Sequence, residues 1–437
     1  MTIGNAPTLL PSDHPARRLA ADEVHARPQD ALESPLRATF LAIAIDPADR
    51  GRERDHLGAL CARFGAAAPG PEDIHFSVGL EGIRLKWERH GEFSGYTFTA
   101  PGLGTMPFAE PATSFVPGDW LSAIPGHTIV AVHARLVRAY GAEPDPQAIA
   151  DAFDGNVLVG SLVGDGKGAV FTDFRIRADG HVRFVVEDLG FTSRQAGRML
   201  QRLFDIEAYR VMALLALPLA RQLAPRSVEI ERSLVSLTQV IADNTGSDEA
   251  LLAELTKLAA EVESARNASQ MRFAASRAYH DLVRTRIAEL RERRIPGIQT
   301  IDEFMTRRMA PAMATCTSVA QRLHDLSERI AQACGLLSTR VEIARERQNQ
   351  ALLASMERRA GLQLRLQQTV EWLSVAAVTY YGASLVGYVA KALKAAGAPV
   401  NPDMAVGISI PVLGVLVALA LHFARMRLRT RGHDDGG

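Results

Sequence analysis

The sequence predicts an α+β cytoplasmic domain followed by a long α-helical stalk and a C-terminal two-helix transmembrane hairpin. Three observations carry that expectation. The last seventy residues hold two apolar stretches free of Asp, Glu, Lys and Arg, Trp372–Ala390 and Met404–Ala424, separated by a 13-residue polar connector. Before them, residues 192–371 follow helical periodicity with few breaks. Earlier still, residues 14–191 alternate apolar runs with turn residues, the pattern of a sheet packed by a few helices.

The two apolar stretches constrain the chain most tightly. At about 1.5 Å per helical residue they span roughly 28 and 31 Å, close to a hydrocarbon core of about 30 Å. Arg358, Arg359 and Arg365 precede the first, and Arg425, Arg427, Arg429 and Arg431 follow the second, whereas the connector carries Lys391, Lys394 and Asp403. Positive charge beside a span marks the side that is not translocated. Both termini are therefore expected in the cytoplasm, in a multi-pass arrangement with the connector outside. Trp372, Tyr380, Tyr381 and Tyr388 include interface anchors. Met1–Asp13 has no apolar run behind a basic start, so no cleaved signal is expected. The competing interpretation of the same residues is a buried core hairpin in a soluble protein.

Composition adds limits. With 437 residues, two or three domains are expected. The formal net charge is zero, so no global basic field argues for nucleic acid as a partner. Cys61, Cys316 and Cys334 lie far apart, without metal-ligand spacing, and suit a reducing cytoplasm.

Element by element, a helix is expected over Ala16–Ala26, a strand over Leu36–Ile45 and a helix over Arg52–Phe64. Strands are expected over Ile74–Val78, Gly82–His90, Tyr96–Thr99 and Ile129–Leu136. Residues 155–187 read as an antiparallel meander whose turns are Gly164–Gly168 and Ala178-Asp179-Gly180. The remaining helices are expected over Arg194–Leu217, ending at Pro218, then Ser227–Asp243 and Ser247–Arg294, with a break at Ile295-Pro296-Gly297. From about Thr300 one helix of about 80 residues, on the order of 110 Å or more, runs into the first span, and Pro311 either kinks it or starts it afresh. Val319, Leu323, Leu326, Ile330, Ala333, Leu337, Val341 and Ala344 form a heptad-like seam along it. That seam packs on Ser247–Arg294 of the same chain, on other subunits, or on both.

Several motifs bear on chemistry. Gly164–Gly168 lacks the spacing of a phosphate loop and precedes a strand instead of a helix, so it reads as a hairpin turn. In Trp87–Phe93, strand alternation puts Glu88, His90 and Glu92 on one face, where they are candidates for ligand binding, metal binding or acid–base work, or form an ion-paired surface. His14, His25 and His75 add imidazoles without geometry. Asp205, Glu207, Tyr209 and Arg210 read as a polar helix surface. In the first span Thr379, Ala383 and Gly387 form a small-residue stripe, and Gly407, Pro411 and Gly414 do so in the second. With the hydroxyls of Tyr380 and Ser384, Thr379, Ala383 and Gly387 are the pore-lining or span-packing candidates.

Five segments together carry a resemblance: His14-Pro15-x-Arg17-Arg18, Glu23-x-His25-Ala26-Arg27-Pro28, Trp87–Phe98, Glu207-x-Tyr209-Arg210 and Gln348–Met356. Over roughly His14–Arg429 the chain resembles an uncharacterised family of bacterial membrane-anchored proteins, the domain of unknown function 3422. The resemblance implies a place in the bacterial inner membrane; it brings no established activity to carry over, and the cofactor stays unknown. The architecture is also similar to CorA-type magnesium channels, which implies a homo-oligomer, a pore lined by the first span and a divalent cation as partner. The Gly-Met-Asn motif of those channels is absent. Residues 384–390 read Ser-Leu-Val-Gly-Tyr-Val-Ala, and the connector is not acidic.

Two functional classes follow: a self-associating, CorA-like ion-conducting assembly, or a non-conducting membrane-tethered scaffold that binds a partner. An enzyme requires Glu88, His90 and Glu92 to converge with other polar groups in a pocket.

Overall fold

The computed structural model describes residues 13–23, 30–106, 108–139, 144–397, 399 and 401–431, with the backbone alone for residues 19, 22, 23 and 424–431. The chain forms two compact units that divide between Cys334 and Gly335.

In chain order the first unit comprises α1 (Arg17–Glu23), β1 (Leu36–Ala44), α2 (Arg50–Arg63), β2 (His75–Leu80), β3 (Ile83–Arg89), β4 (Phe93–Pro101), α3 (Gly118–Ser122), β5 (His127–Arg138), α4 (Pro146–Ala150), β6 (Val159–Val163), β7 (Gly168–Thr172) and β8 (Val182–Asp188). Then follow α5 (Ser193–Leu214), α6 (Ala216–Ala242), α7 (Asp248–Leu290), β9 (Arg293–Arg294), α8 (Ile301–Arg308) and the start of α9 (Ala310–Ala395). The second unit holds the rest of α9 and α10 (Pro402–Arg431).

Among the described residues nine strands form one sheet in the order β2-β3-β4-β1-β5-β8-β7-β6-β9. Two antiparallel meanders, β2-β3-β4 and β6-β7-β8, flank the middle, where β1 lies antiparallel to β4 and β5 lies antiparallel to β1 and parallel to β8. The expected meander over residues 155–187 is thus present, and its turn glycine Gly166 takes φ +86°, a value that only glycine adopts without strain.

Alternation along the strands sends side chains to two faces. One face carries Phe40, Val132, Phe184 and Val170, covered by Leu200, Leu203 and Phe204 of α5 and by Val283 and Ile287 of α7. Phe40 and Phe204 stack with ring centroids 5.1 Å apart. Each such fully buried side chain contributes about 1.5–3 kcal/mol. The opposite face is covered in two places: by α2 and Trp120 over β1–β4, and by Phe108, Ile149 and Phe153 over β7 and β8. The core therefore runs straight across the composition change near residue 190. Gly197 lets the chain at Asp30 pass against α5, since a Cβ there would lie 1.9 Å from the Asp30 carbonyl oxygen.

Helix limits differ from expectation in three places. α5 stops at Leu214, and α6 starts at Ala216, with Pro218 in its first turn where no backbone bond is lost, and runs through Pro225. A proline removes one backbone bond, and the face of α6 that buries Ala216, Ala220, Ile230 and Leu234 compensates for it. α7 ends at Leu290, with Arg291 left-handed, so Arg293 and Arg294 leave the expected helix and pair with β6 at the sheet edge. The capping box of Thr300 and Glu303 then starts α8. Residues 24–26 of the first expected helix lie outside the described residues.

The N-terminal part of the heptad-like seam packs within the chain, whereas Ala344 at its far end is exposed. Val319 and Leu323 bury against Phe273 of α7 and Ala216 and Ala220 of α6, and Leu326 and Ile330 are also buried. In the second unit two helical segments are long and apolar enough to cross a membrane. Trp372, Leu373, Leu385, Tyr388, Ile408, Leu416 and Phe423 on them are exposed.

Candidate functional site

Strand β3 meets α5 at a polar cavity of about 250 Å³. The strand's period of two sends Leu85 and Trp87 into the apolar core on one side and Lys86 and Glu88 toward α5 on the other. Lys86 Nζ lies 3.0 Å from Glu88 Oε2, with both side chains almost fully buried. The ammonium also donates to Gln201 Oε1 at 3.1 Å. Gln201 Nε2 in turn donates to Asp205 Oδ1, and Arg286 Nε from α7 donates to Asp205 Oδ2, both at 2.9 Å. Glu289 closes the network by accepting from Arg202 Nε at 3.0 Å and from Arg286. Arg198, His90 and Tyr209 complete the lining.

Burial is the main cause that holds the Asp205 carboxyl above the usual aspartate range, and the charge of Glu88 adds to it. Hydrogen bonds from Gln201 and the charge of Arg286 work the other way. Every carboxylate in the cavity has a cation beside it, so none is a free general base. Arg198 has no carboxylate partner among the described residues. The chemistry this arrangement offers is binding of a small anionic group.

The three residues expected on one strand face part company. Glu88 and His90 line the cavity. β3 ends at Arg89, however, so the alternation that placed Glu92 beside them stops too soon. His90 N–H donates to the Phe93 carbonyl at 2.8 Å in the β3–β4 turn, and its ring stacks on Phe93. Glu92 instead pairs with Arg272 of α7 at 2.5 Å. The convergence that hydrolysis would require is therefore incomplete. His75 stands opposite Glu88 in the β2–β3 ladder, His14 sits exposed beside α1, and His25 lies outside the described residues.

Residues of α5 that read as a polar surface are in fact interior. Asp205, Glu207 and Tyr209 are buried, and Arg210 Nε donates to Glu207 Oε2 at 2.8 Å. The spacing of Gln201, Asp205 and Tyr209, each four apart, was the available signal for this face. Arg210 also lies over the Phe174 ring and lines a second cavity of about 460 Å³ with Arg175, Phe304, Arg308 and Met309.

In the second unit Thr379 and Ala383 turn toward α10, and so does Gly387. A Cβ at Gly387 would lie 2.9 Å from Val406 Cγ2, and one at Gly382 3.0 Å from Leu413. Ala383 is buried, and Thr379 Oγ1 faces Gly414, buried without a hydrogen-bond partner among the described residues. Ser384 Oγ donates to the Tyr380 carbonyl of its own helix at 2.9 Å, and Tyr380 is 70 % exposed. Gly407, expected in the matching stripe, faces open space instead, because the contact runs through Val406, Leu413 and Gly414.

A family model described as a protein of unknown function, DUF3422, matches residues 12–428. The chain belongs to that family. The match takes in both units of this DUF3422 protein, the sheet and the apolar helices alike. No curated protein and no solved structure matches the chain, and the architectural likeness to CorA-type channels gains no support from these comparisons.

Proposed function

We propose that this DUF3422 protein is a bacterial inner-membrane protein whose α+β domain is tethered in the cytoplasm by a non-conducting transmembrane hairpin, and that the domain acts by binding. The exposed apolar surface of residues 372–390 and 404–423 carries this reading. A water-facing surface of that extent is costly, whereas a bilayer accepts it. The arginines at 358, 359 and 365 and at 425–431 favour cytoplasmic termini, with Lys391 and Lys394 outside.

The spans favour a tether over a pore. Thr379, Ala383 and Gly387 are taken up by close packing on α10, and Ser384 bonds its own helix. Neither span holds an Asp, Glu, Lys or Arg for a charged relay. Tyr380 and Tyr381, both about 70 % exposed, put two hydroxyls mid-span, where lipid offers no partner. That supports self-association through their face.

The expected result is a chain that stays with membranes through carbonate washing. Single cysteines replacing Lys391 or Lys394 label from outside the cell, and deletion from Glu371 onward releases a soluble domain. Recovery of the full chain from the soluble fraction without detergent removes the reading. For conduction, liposomes carrying the protein are expected to pass no divalent cation. A flux that Thr379→Trp abolishes would establish the channel instead.

A further inference from the structure

The turn Ala178-Asp179-Gly180 and strand β5 meet on the sheet face opposite α5. β5 and β8 are parallel, with Val132 beside Val182 and His133 beside Arg183. Because side chains alternate, His181, one residue before β8, shares the face of Arg183 and therefore of His133. The two imidazoles stack with centroids 3.8 Å apart. Donor atoms of His133, His181 and Asp179 all lie within 4.8 Å of one another, and no other group of three is so placed among the described residues.

Both rings are oriented by their Nδ1 atoms. His181 Nδ1 sits 2.8 Å from the Asp179 carbonyl, which only accepts, so Nδ1 carries the proton and Nε2 is left with a lone pair. His133 Nδ1 lies 3.0 Å from the buried Oγ1 of Thr39, its cross-strand partner on β1. Metal-binding imidazoles are commonly held in this way, with a carbonyl or hydroxyl on the second nitrogen and the first free for an ion. Asp179 Oδ1 accepts from the His181 amide at 3.0 Å, which fixes the carboxylate in the turn and leaves Oδ2 for a ligand. Arg183, whose charge acts on His133, is held by the Ala152 carbonyl at 3.1 Å and over the Phe108 ring at 5.0 Å.

We propose that His133, His181 and Asp179 bind a divalent transition-metal ion of the zinc class. Two nitrogens and one carboxylate oxygen are the borderline donors that such ions prefer over magnesium or calcium. Three protein ligands leave one tetrahedral position open, and the partial exposure of His181 and Asp179 admits water there. Donors at about 2.0–2.2 Å from a tetrahedral ion stand roughly 3.3 Å apart. Binding therefore closes the cluster and swings His181 out of the stack, since a ligating ring must contain the ion in its plane. His133, in the middle of the sheet, stays where it is. This inference is independent of the membrane reading.

The test uses the full chain in detergent, stripped with a chelator and titrated with cobalt(II). One equivalent is expected to give a tetrahedral ligand-field band that zinc displaces. Asp179→Asn and His181→Ala, both at a partly exposed turn, each weaken binding at least about tenfold while near-UV circular dichroism stays unchanged. Thr39→Val, which touches no ion, weakens it by about 10–100-fold. Absence of a band and of retained zinc overturns the proposal. So does an affinity that survives Asp179→Asn and His181→Ala in folded protein.

Discussion

Lys86→Met destabilises the first unit by about 3–5 kcal/mol, the cost of leaving one member of a buried ion pair alone. Glu88 then faces α5 with its ammonium gone and Asp205 close enough for their charges to interact. Gln201 loses a donor to its carbonyl oxygen as well. Lys86→Met with Glu88→Leu recovers most of the loss, because replacing both partners by apolar groups removes the uncompensated charge. The acid response carries a sign. Asp205 has a folded pKa above its unfolded value. The folded state therefore takes up a proton that the unfolded state does not, and this contribution to stability grows as pH falls through the raised value and is lost as pH rises. Stability is thus expected to rise as the pH is lowered toward the raised Asp205 value, in the variant and the parent alike. Urea unfolding followed by the fluorescence of buried Trp87 and Trp120 measures all of these. A single-variant loss below about 1 kcal/mol would show that the pair is not desolvated as described.

Glu53→Ala is expected to cost a similar amount, about 3–5 kcal/mol, on the opposite face of the sheet. Glu53 on α2 is 1 % exposed. Its Oε1 accepts from Trp87 Nε1 at 2.8 Å and from the Tyr96 hydroxyl at 3.0 Å, and its Oε2 lies 3.1 Å from Arg50 Nη1. Alanine leaves two buried donors and a largely buried guanidinium without their acceptor. Arg50 keeps Ser94 Oγ and the His90 carbonyl, which tie it to the same turn that carries Glu92. Glu53→Gln retains one accepting oxygen and should cost less than half as much. The same unfolding experiment decides it. Equal losses for the two variants would mean that packing, not the acceptor role, makes Glu53 matter.

Both networks contain residues whose types were visible in the sequence and whose meetings were not. The strands were legible because each is bounded by turn residues and alternates over a short window; β1, β3, β5 and the β6–β8 meander all lie where expected. Glu88 and His90 were singled out from that alternation. Glu92 was misplaced because the period of two ends when the hairpin turns at Arg89, one residue before His90. α5 misled in the opposite direction. Its Asp, Glu, Tyr and Arg resemble a solvated face, yet α7 covers that face and supplies Arg286 and Glu289. α6 passes Pro225 because its other side is packed, which local propensity does not register.

Length and hydropathy alone determined the two apolar segments, their arginine flanks and the order of sheet before helices. Those properties depend on residues within one or two turns of each other, so a linear reading captures them. Only the tertiary structure decided that Lys86, Gln201, Asp205 and Arg286 share one cavity, or that His133 and His181 stack. Such meetings depend on which strands become neighbours, above all on the parallel pairing of β5 with β8. That choice is made by the burial of whole strand faces against α5 and α7, a cooperative quantity that no short stretch of sequence contains.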